Sequence, residues 1–395
     1  MYQSHIFNSL TSRVQYITEI IKQYDSQGFH RTGTKVDQLS AFWLVQHIQQ
    51  LGIEAKLEPF SLSRIDPVLT YIQIGQRRLE GLPLFDSTFT DADGIQGKLG
   101  LAGSDGNLLV MPITPQANTP KYQQLQACRG SGGYQGIIAI THSTPPGLAP
   151  LNALDFTSPF GPPVLQVSTV EANCLEEAAK LGQAATLVTQ VQRTETKAFN
   201  VIATLKGVDS SLAPLVVMTP RSGWWHCASE RGGGLACWLS VMAALSVQRL
   251  ARDVIFVATS GHELGGIGLQ SFLRQQPMLA KKAKVWLHFG ANIGAAFGKR
   301  CGLFASNTEF AEMAAGLMDK AGAAPDDCYL PNILPYGEAV LIHHLGGAYI
   351  SLVGVNQLFH HPKDRFSEAV DIMQVTRFAT AFANLSLMFA EAAIS

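Results

Sequence analysis

Apolar and polar positions follow three different rhythms along the chain. Between residue 1 and about residue 62 they recur twice at helical spacing, the second time in VDQLSAFWLVQHIQQLGIEAKLEPF, where Gly52 ends the helical run and a strand follows. From about residue 63 to 195 the pattern breaks into short apolar runs, YIQIG, KLGLAG, NLLVMPI, GIIAIT, PPVLQV and ATLVTQV, parted by Gly, Pro, Asp and Ser. TVEANCLEEAAKLG is the one long helical stretch among them. That density of strands predicts a separate β-rich domain, with the Pro-rich STPPGLAPLNALDFTSPFGPP as a surface loop. From about residue 196 strands and helices alternate: NVIATLKG, PLVVMTP, a helix over 233–249, DVIFVATS, a helix near 264–280, KVWLHFG, a helix over 308–322, AYISLVG and a last helix from about 368.

Alternation of this kind predicts an α/β fold, a mostly parallel mixed sheet with helices on both faces. The β-rich block interrupts it, so residues 1–62 and 196–395 are expected to pack as one discontinuous domain, with 63–195 inserted. Ligands collect at the carboxyl ends of strands in such sheets. Four loops at those ends carry polar residues: TPRSGWWHCASERGGG, TSGHELGG, HFGANIG and NQLFHHPKD.

Composition narrows the partners more than the fold. A chain of 395 residues, 47% hydrophobic and 15% charged, can bury a large core. Its net charge of -1, without a long Lys/Arg run, gives no general attraction to nucleic acid or anionic lipid, so a partner is expected at a specific site. Six cysteines without CxxC spacing read as thiols of a reducing compartment, and the opening MYQSHIFNSLTSRVQYITEIIKQY reads as an amphipathic helix, not a secretory leader. The expectation is a cytoplasmic protein. No run of about 18 apolar residues is long enough for a membrane span, and nothing in the sequence fixes an oligomeric state.

The strand-end loops offer Arg221, His226, Cys227 and Glu230 after one strand, His262 and Glu263 after another, and His360, His361 and Asp364 near the end. Carboxylates and imidazoles converging from separate strands are one way to hold zinc, and ordinary loop polarity is the other reading of the same residues. HELGG is not HExxH, since Gly266 stands four residues after His262, and no GxSxG marks a nucleophile elbow. Trp224 and Trp225 read as an aromatic wall for a ligand or as cover for the core. Neighbouring loop residues rarely face each other, which counts against a Cys227–His226 nucleophile pair. His343 and His344, on a predicted helix, read as structural histidines or as a pocket wall.

The order of these segments resembles metallopeptidase family 28, the zinc aminopeptidases, glutaminyl cyclases and transferrin-receptor-like proteins. RTGTKVDQLSAFWLVQHIQQLGIEAKLEPF resembles the family's N-terminal helix and strand, residues 63–195 its inserted protease-associated domain, and NVIATLKG the start of its core. The resemblance implies two zinc ions on five side chains with a glutamate as general base. Laid onto this chain, the family's first histidine falls on Arg221, the aspartate after it on Gly223, and the bridging aspartate on Glu230. The base falls on His262, its neighbouring ligand on Glu263, the late aspartate on Gly290 or Ala291, and the closing histidine on His360. One metal has thus lost two of its three ligands, while Glu230, Glu263 and His360 keep the donor types of the other.

The resemblance therefore implies one zinc ion on Glu230, Glu263 and His360 with a position open to water. Arg221 is expected to put a guanidinium in the place of the missing metal, paired with Glu230, and His262 to stand as the base. Trp224 and Trp225 are expected against the substrate. Activity as a single-zinc hydrolase of short peptides or related amides is one expectation. The other is a catalytically silent relative that binds a small molecule or peptide, or serves as an interaction scaffold.

Overall fold

The computed structural model describes residues 9–117, 119–298 and 300–391. In chain order the first elements are α1 (Leu10–Ser26), α2 (Lys35–Gln50), β1 (Ala55–Ile74), β2 (Arg77–Pro83), β3 (Ile95–Gly100), β4 (Leu108–Ile113), α3 (Pro120–Gly130), β5 (Gly136–Thr141), β6 (Val164–Ser168) and α4 (Ala172–Lys180). There follow β7 (Ala184–Leu205), β8 (Leu215–Pro220), α5 (Gly233–Ser246), β9 (Val254–Thr259), α6 (Ile267–Gln275), α7 (Leu279–Lys282) and β10 (Val285–Phe289). The last are β11 (Arg300–Ala305), α8 (Thr308–Lys320), β12 (Asp327–Tyr329), α9 (Ala339–His344), β13 (Tyr349–Val355) and α10 (Ile372–Ala390).

Among the described residues thirteen strands are linked in the order β1-β2-β6-β5-β4-β3-β7-β9-β8-β10-β13-β11-β12. β9, β8, β10 and β13 run parallel, flanked by antiparallel β7 on one side and β11 on the other. These four central strands are buried on both faces and read as continuous apolar runs, as the interior of a parallel sheet requires. Helices α1, α5, α8 and α10 cover one face, where Ile21, Leu235, Trp238, Phe289 and Phe382 share the largest hydrophobic cluster. α6 and α9 cover the other, where Met218, Phe272, Trp286 and Ile342 form a second cluster. Among the described residues no helix is long and apolar enough to cross a membrane.

The runs ATLVTQV and NVIATLKG, expected on either side of a boundary at residue 195, are a single 22-residue strand, β7. It pairs antiparallel with the 20-residue β1 from Ala55↔Ala203 to Ile74↔Ala185. The register slips once, between Pro67 and Leu69, where proline has no N–H to give the ladder. Beyond this ribbon, β3, β4, β5 and β6 form a parallel set with its own apolar clusters, one of them around Val110, Ile138, Ile140 and Leu165.

Three expected helices change their bounds for local reasons. The stretch 264–280 splits into α6 and α7 because Pro277 forbids helix at the residue before it. The last helix starts at Ile372 because the Asp371 side chain caps it, accepting from Gln374 N at 3.0 Å. The helix over 233–249 ends at Ser246.

The N-terminal helices are locked to the sheet by a buried ion pair. Arg221, in the loop after β8, is fully enclosed and reaches Asp37 of α2 at 2.8 Å. Its guanidinium also donates to the Asp37 carbonyl at 2.8 Å and the Phe199 carbonyl at 2.6 Å. Asp37 in turn accepts from Gly33 N and Ser260 Oγ. Truncating one partner leaves the other charge buried and uncompensated, so Asp37→Ala is expected to cost about 3–5 kcal/mol of stability in a denaturant titration. A loss of under about 1 kcal/mol would contradict this role.

Candidate functional site

The loops after β8, β9 and β13 meet at the carboxyl edge of the sheet. After β8 the chain passes Ser222, Gly223 and the two tryptophans to Cys227, whose φ of 56° is left-handed. There it enters a single π turn, Ala228–Gly232, before α5 continues as α-helix. Arg231 N and Gly232 N both bond the Cys227 carbonyl, at 2.9 and 3.1 Å. A π turn widens the helix by one residue, a feature concentrated at functional positions. Here it sets Glu230 and Arg231 inward together. Asp364 holds the turn in place, accepting from Ser229 N, Ser229 Oγ and Glu230 N at 3.0, 2.8 and 2.9 Å.

Glu230 and Arg231 form an ion pair at 2.9 Å, with 1% and 0% of their side chains exposed. The Arg231 guanidinium is fixed by a 2.7 Å bond from Nε to the Ser222 carbonyl. On the other side of Glu230 Oε1, His360 Nε2 lies at 3.5 Å. Burial alone would raise the Glu230 carboxyl, but Arg231, His360 and His262 outweigh it and hold it below the usual range. Burial lowers His360, against the pull of Glu230. The expected partner of Glu230 was Arg221, yet the guanidinium beside it belongs to Arg231. Arg221 instead pairs with Asp37 of α2 and donates to the Asp37 and Phe199 carbonyls.

Glu263 does not join them. The loop after β9 makes a short 3-10 turn, His262–Leu264, which directs the Glu263 carboxylate at the N-terminal segment. There it accepts from Thr32 N at 2.6 Å and Ser222 Oγ at 2.7 Å. Burial raises this carboxyl. Among the described residues no group of three or more His, Cys, Asp or Glu side chains is arranged to hold a metal ion. The expected donor set of Glu230, Glu263 and His360 therefore does not fit zinc: one carboxylate is spent on internal donors and a second already carries a cation.

His262 turns toward residues that sequence reasoning passed over. Its Nδ1 lies 3.7 Å from Glu338 Oε1, and Thr259 Oγ1 holds both Glu338 oxygens, at 2.8 and 2.7 Å. His288, on β10, bonds Ser351 Oγ through Nδ1 at 2.8 Å. Burial, then the Arg231 charge, drives the His262 imidazole well below its usual range, leaving it a weak proton acceptor. The signal for His288 was absent, since a histidine inside an apolar strand reads as core. Arg231 was in view as the neighbour of Glu230, but only the π turn brings both to one side.

Across the top runs a strap, residues 143–163, contributed by the inserted region. Its Pro150 carbonyl accepts from His360 Nδ1 at 2.6 Å, and its Ala153 N donates to the Glu263 carbonyl at 2.8 Å. The Asn152 side chain accepts from Trp224 Nε1 at 3.0 Å. Trp224 is itself buried, edge-on to Phe85, and Trp225 bonds the His360 carbonyl through Nε1 at 2.8 Å. At its base the strap is pinned by the buried pair of Asp86 and Arg129 at 2.9 Å, with Asp155 N donating to Asp86 at 3.0 Å. His262 has 12% of its side chain exposed, whereas Glu230, Arg231 and His360 are sealed. The buried Cys227 thiol is pushed well up by burial first, then by Glu230, and His226 faces the Asp25 carbonyl, so the two do not form a nucleophile pair.

Gly147 of the strap packs so closely on the His361 imidazole that a β-carbon there would collide with Nε2. Gly147→Val is therefore expected to lift the strap, with hydrogen exchange at the Ala153 amide accelerating by at least about tenfold and exchange in α5 unchanged. An unaltered Ala153 rate would show that the strap is not held at this point.

No family model and no curated protein matches the sequence. Among solved structures the chain is similar to a zinc aminopeptidase from Bacillus subtilis, with a TM-score of 0.77 at 15% identity over 97% of this chain and 96% of that one. It is similar to a family 28 peptidase precursor from Shewanella amazonensis, with a TM-score of 0.76 at 16% identity over 97% and 96%. Glutaminyl cyclase from Porphyromonas gingivalis is more distant, with a TM-score of 0.52 at 10% identity over 95% and 98%. The chain has the fold of the zinc aminopeptidases along nearly its whole length.

Proposed function

We propose that this chain is a relative of the zinc aminopeptidases that works without zinc, enclosing a small ligand beneath the strap in place of hydrolysing peptides. One observation carries the reading: the Arg231 guanidinium stands 2.9 Å from Glu230, inside the donor set that the fold's relatives would give to metal. A divalent ion at Glu230 would meet a fixed positive charge in a region of low dielectric, where like charges repel strongly. The Glu263 carboxylate, held by Ser222 and Thr32, cannot turn to help without abandoning two buried donors. Burial and then the Arg231 charge hold the His262 imidazole, in the place of the base, well below its usual range, which weakens it as the proton acceptor such hydrolysis needs. The inserted region 63–195 would serve as the cover.

The single-zinc hydrolase keeps one observation in its favour, the 3.5 Å approach of His360 Nε2 to Glu230. Metal analysis separates the two. Protein purified without chelator is expected to hold less than about 0.1 zinc per chain and to leave aminoacyl p-nitroanilides uncut with zinc added. About one zinc per chain, with turnover abolished by Glu263→Ala and His360→Ala, would overturn the proposal.

A further inference from the structure

We infer that Glu230, His360 and Arg231 recognise a primary amide group, the C(=O)NH2 unit of a small neutral carboxamide or urea. The inference rests on the preceding reading, that this cleft binds a ligand and not a metal. It begins with the tautomer of His360. The Pro150 carbonyl can only accept, so Nδ1 carries the proton in their 2.6 Å bond and Nε2 presents its lone pair. That lone pair lies 3.5 Å from Glu230 Oε1, another acceptor, and neither can satisfy the other.

His360 Nε2 and Arg231 Nη2 are buried without a hydrogen-bond partner in the protein, and the Glu230 carboxylate has only the weak thiol of Cys227 as a donor. The contact of Nη2 with Oε1 is a close charge pairing, out of line for a hydrogen bond. The site thus presents acceptors from a carboxylate and an imidazole next to one donor from a guanidinium. Gly223 contributes no competing side chain, since a β-carbon there would lie 2.8 Å from Cys227 Sγ and 3.5 Å from Glu230 Oε1.

Charge then selects among ligands. The guanidinium and the carboxylate already cancel, and their side chains are 0% and 1% exposed, so an ion entering between them would add an uncompensated charge. A neutral group is required, with two N–H hydrogens for Glu230 and His360 and an oxygen for Arg231. A primary amide has both in one plane. An ester or a tertiary amide lacks the donors, and an ammonium group lacks the acceptor and brings charge.

Ordered water could offer the same bonds, and competition distinguishes the cases. In protein labelled with ¹⁵N-histidine, acetamide is expected to shift the His360 Nε2 resonance saturably at millimolar concentration, while N,N-dimethylacetamide and methylammonium leave it in place. Arg231→Lys, which keeps the charge and loses the planar fork, is expected to weaken acetamide by about tenfold. No saturable shift with acetamide, an equal shift with N,N-dimethylacetamide, or a stronger one with methylammonium would each overturn the inference, and all three are read on the unmutated protein. Zinc assayed on the same sample keeps the two levels apart. Stoichiometric metal would remove the reading beneath, whereas metal-free protein blind to acetamide removes only the amide site.

Discussion

A carboxylate sealed from water needs a positive charge or a set of hydrogen-bond donors, and at the centre of this molecule Glu230 finds a charge in the next residue along the chain. That pairing governs much of what surrounds it. Both residues of the pair lie in the π turn that precedes α5. The turn in turn needs Asp364 beneath it and the left-handed Cys227 before it. Strain and burial of this kind persist only where surrounding structure over-determines them, and here the supports come from the loops after β8 and β13 together.

The same economy of charge runs through the other buried polar groups. Arg221 is matched by Asp37, Arg129 by Asp86, and the Glu263 carboxylate by two neutral donors. Each fixes a junction: the N-terminal helices to the sheet, the strap to the inserted region, the β9 loop to the opening segment. A guanidinium is well suited to such posts, since it stays charged in any surroundings and its planar fork serves several carbonyls at once. Glu263, expected as a metal ligand, serves here as a tie between the β9 loop and the opening segment.

The sheet was legible because its central strands are continuous apolar runs and each is closed by Gly, Pro or a polar loop. The loops at its carboxyl edge were legible for the same reason, so Arg221, Glu230, His262, Glu263 and His360 were expected around one site, of which Glu230 and His360 lie 3.5 Å apart. What could not be read was direction. Arg221 and Arg231 are the same residue type in one loop, and only the π turn decides which faces Glu230. The Glu263 carboxylate could turn to the cleft or to Thr32, and a 3-10 turn settles it. β2, β11 and β12 escaped notice because short strands with mixed polarity, such as RRLEGLP, carry little period-two signal. The polar stretch QVQRTETK concealed the middle of β7, since both faces of a two-stranded ribbon tolerate water.

That ribbon has a mechanical meaning. β1 and β7 are hydrogen-bonded along almost their full length, so the inserted region is carried on a stiff beam and not on a pair of loose linkers. A body mounted this way cannot swing freely. Its travel is confined to flexing of the beam, and the beam is weakest at Pro67, where one rung of the ladder is lost. The stiffness of that mounting is then set at a point remote in sequence from Glu230, His262 and His360.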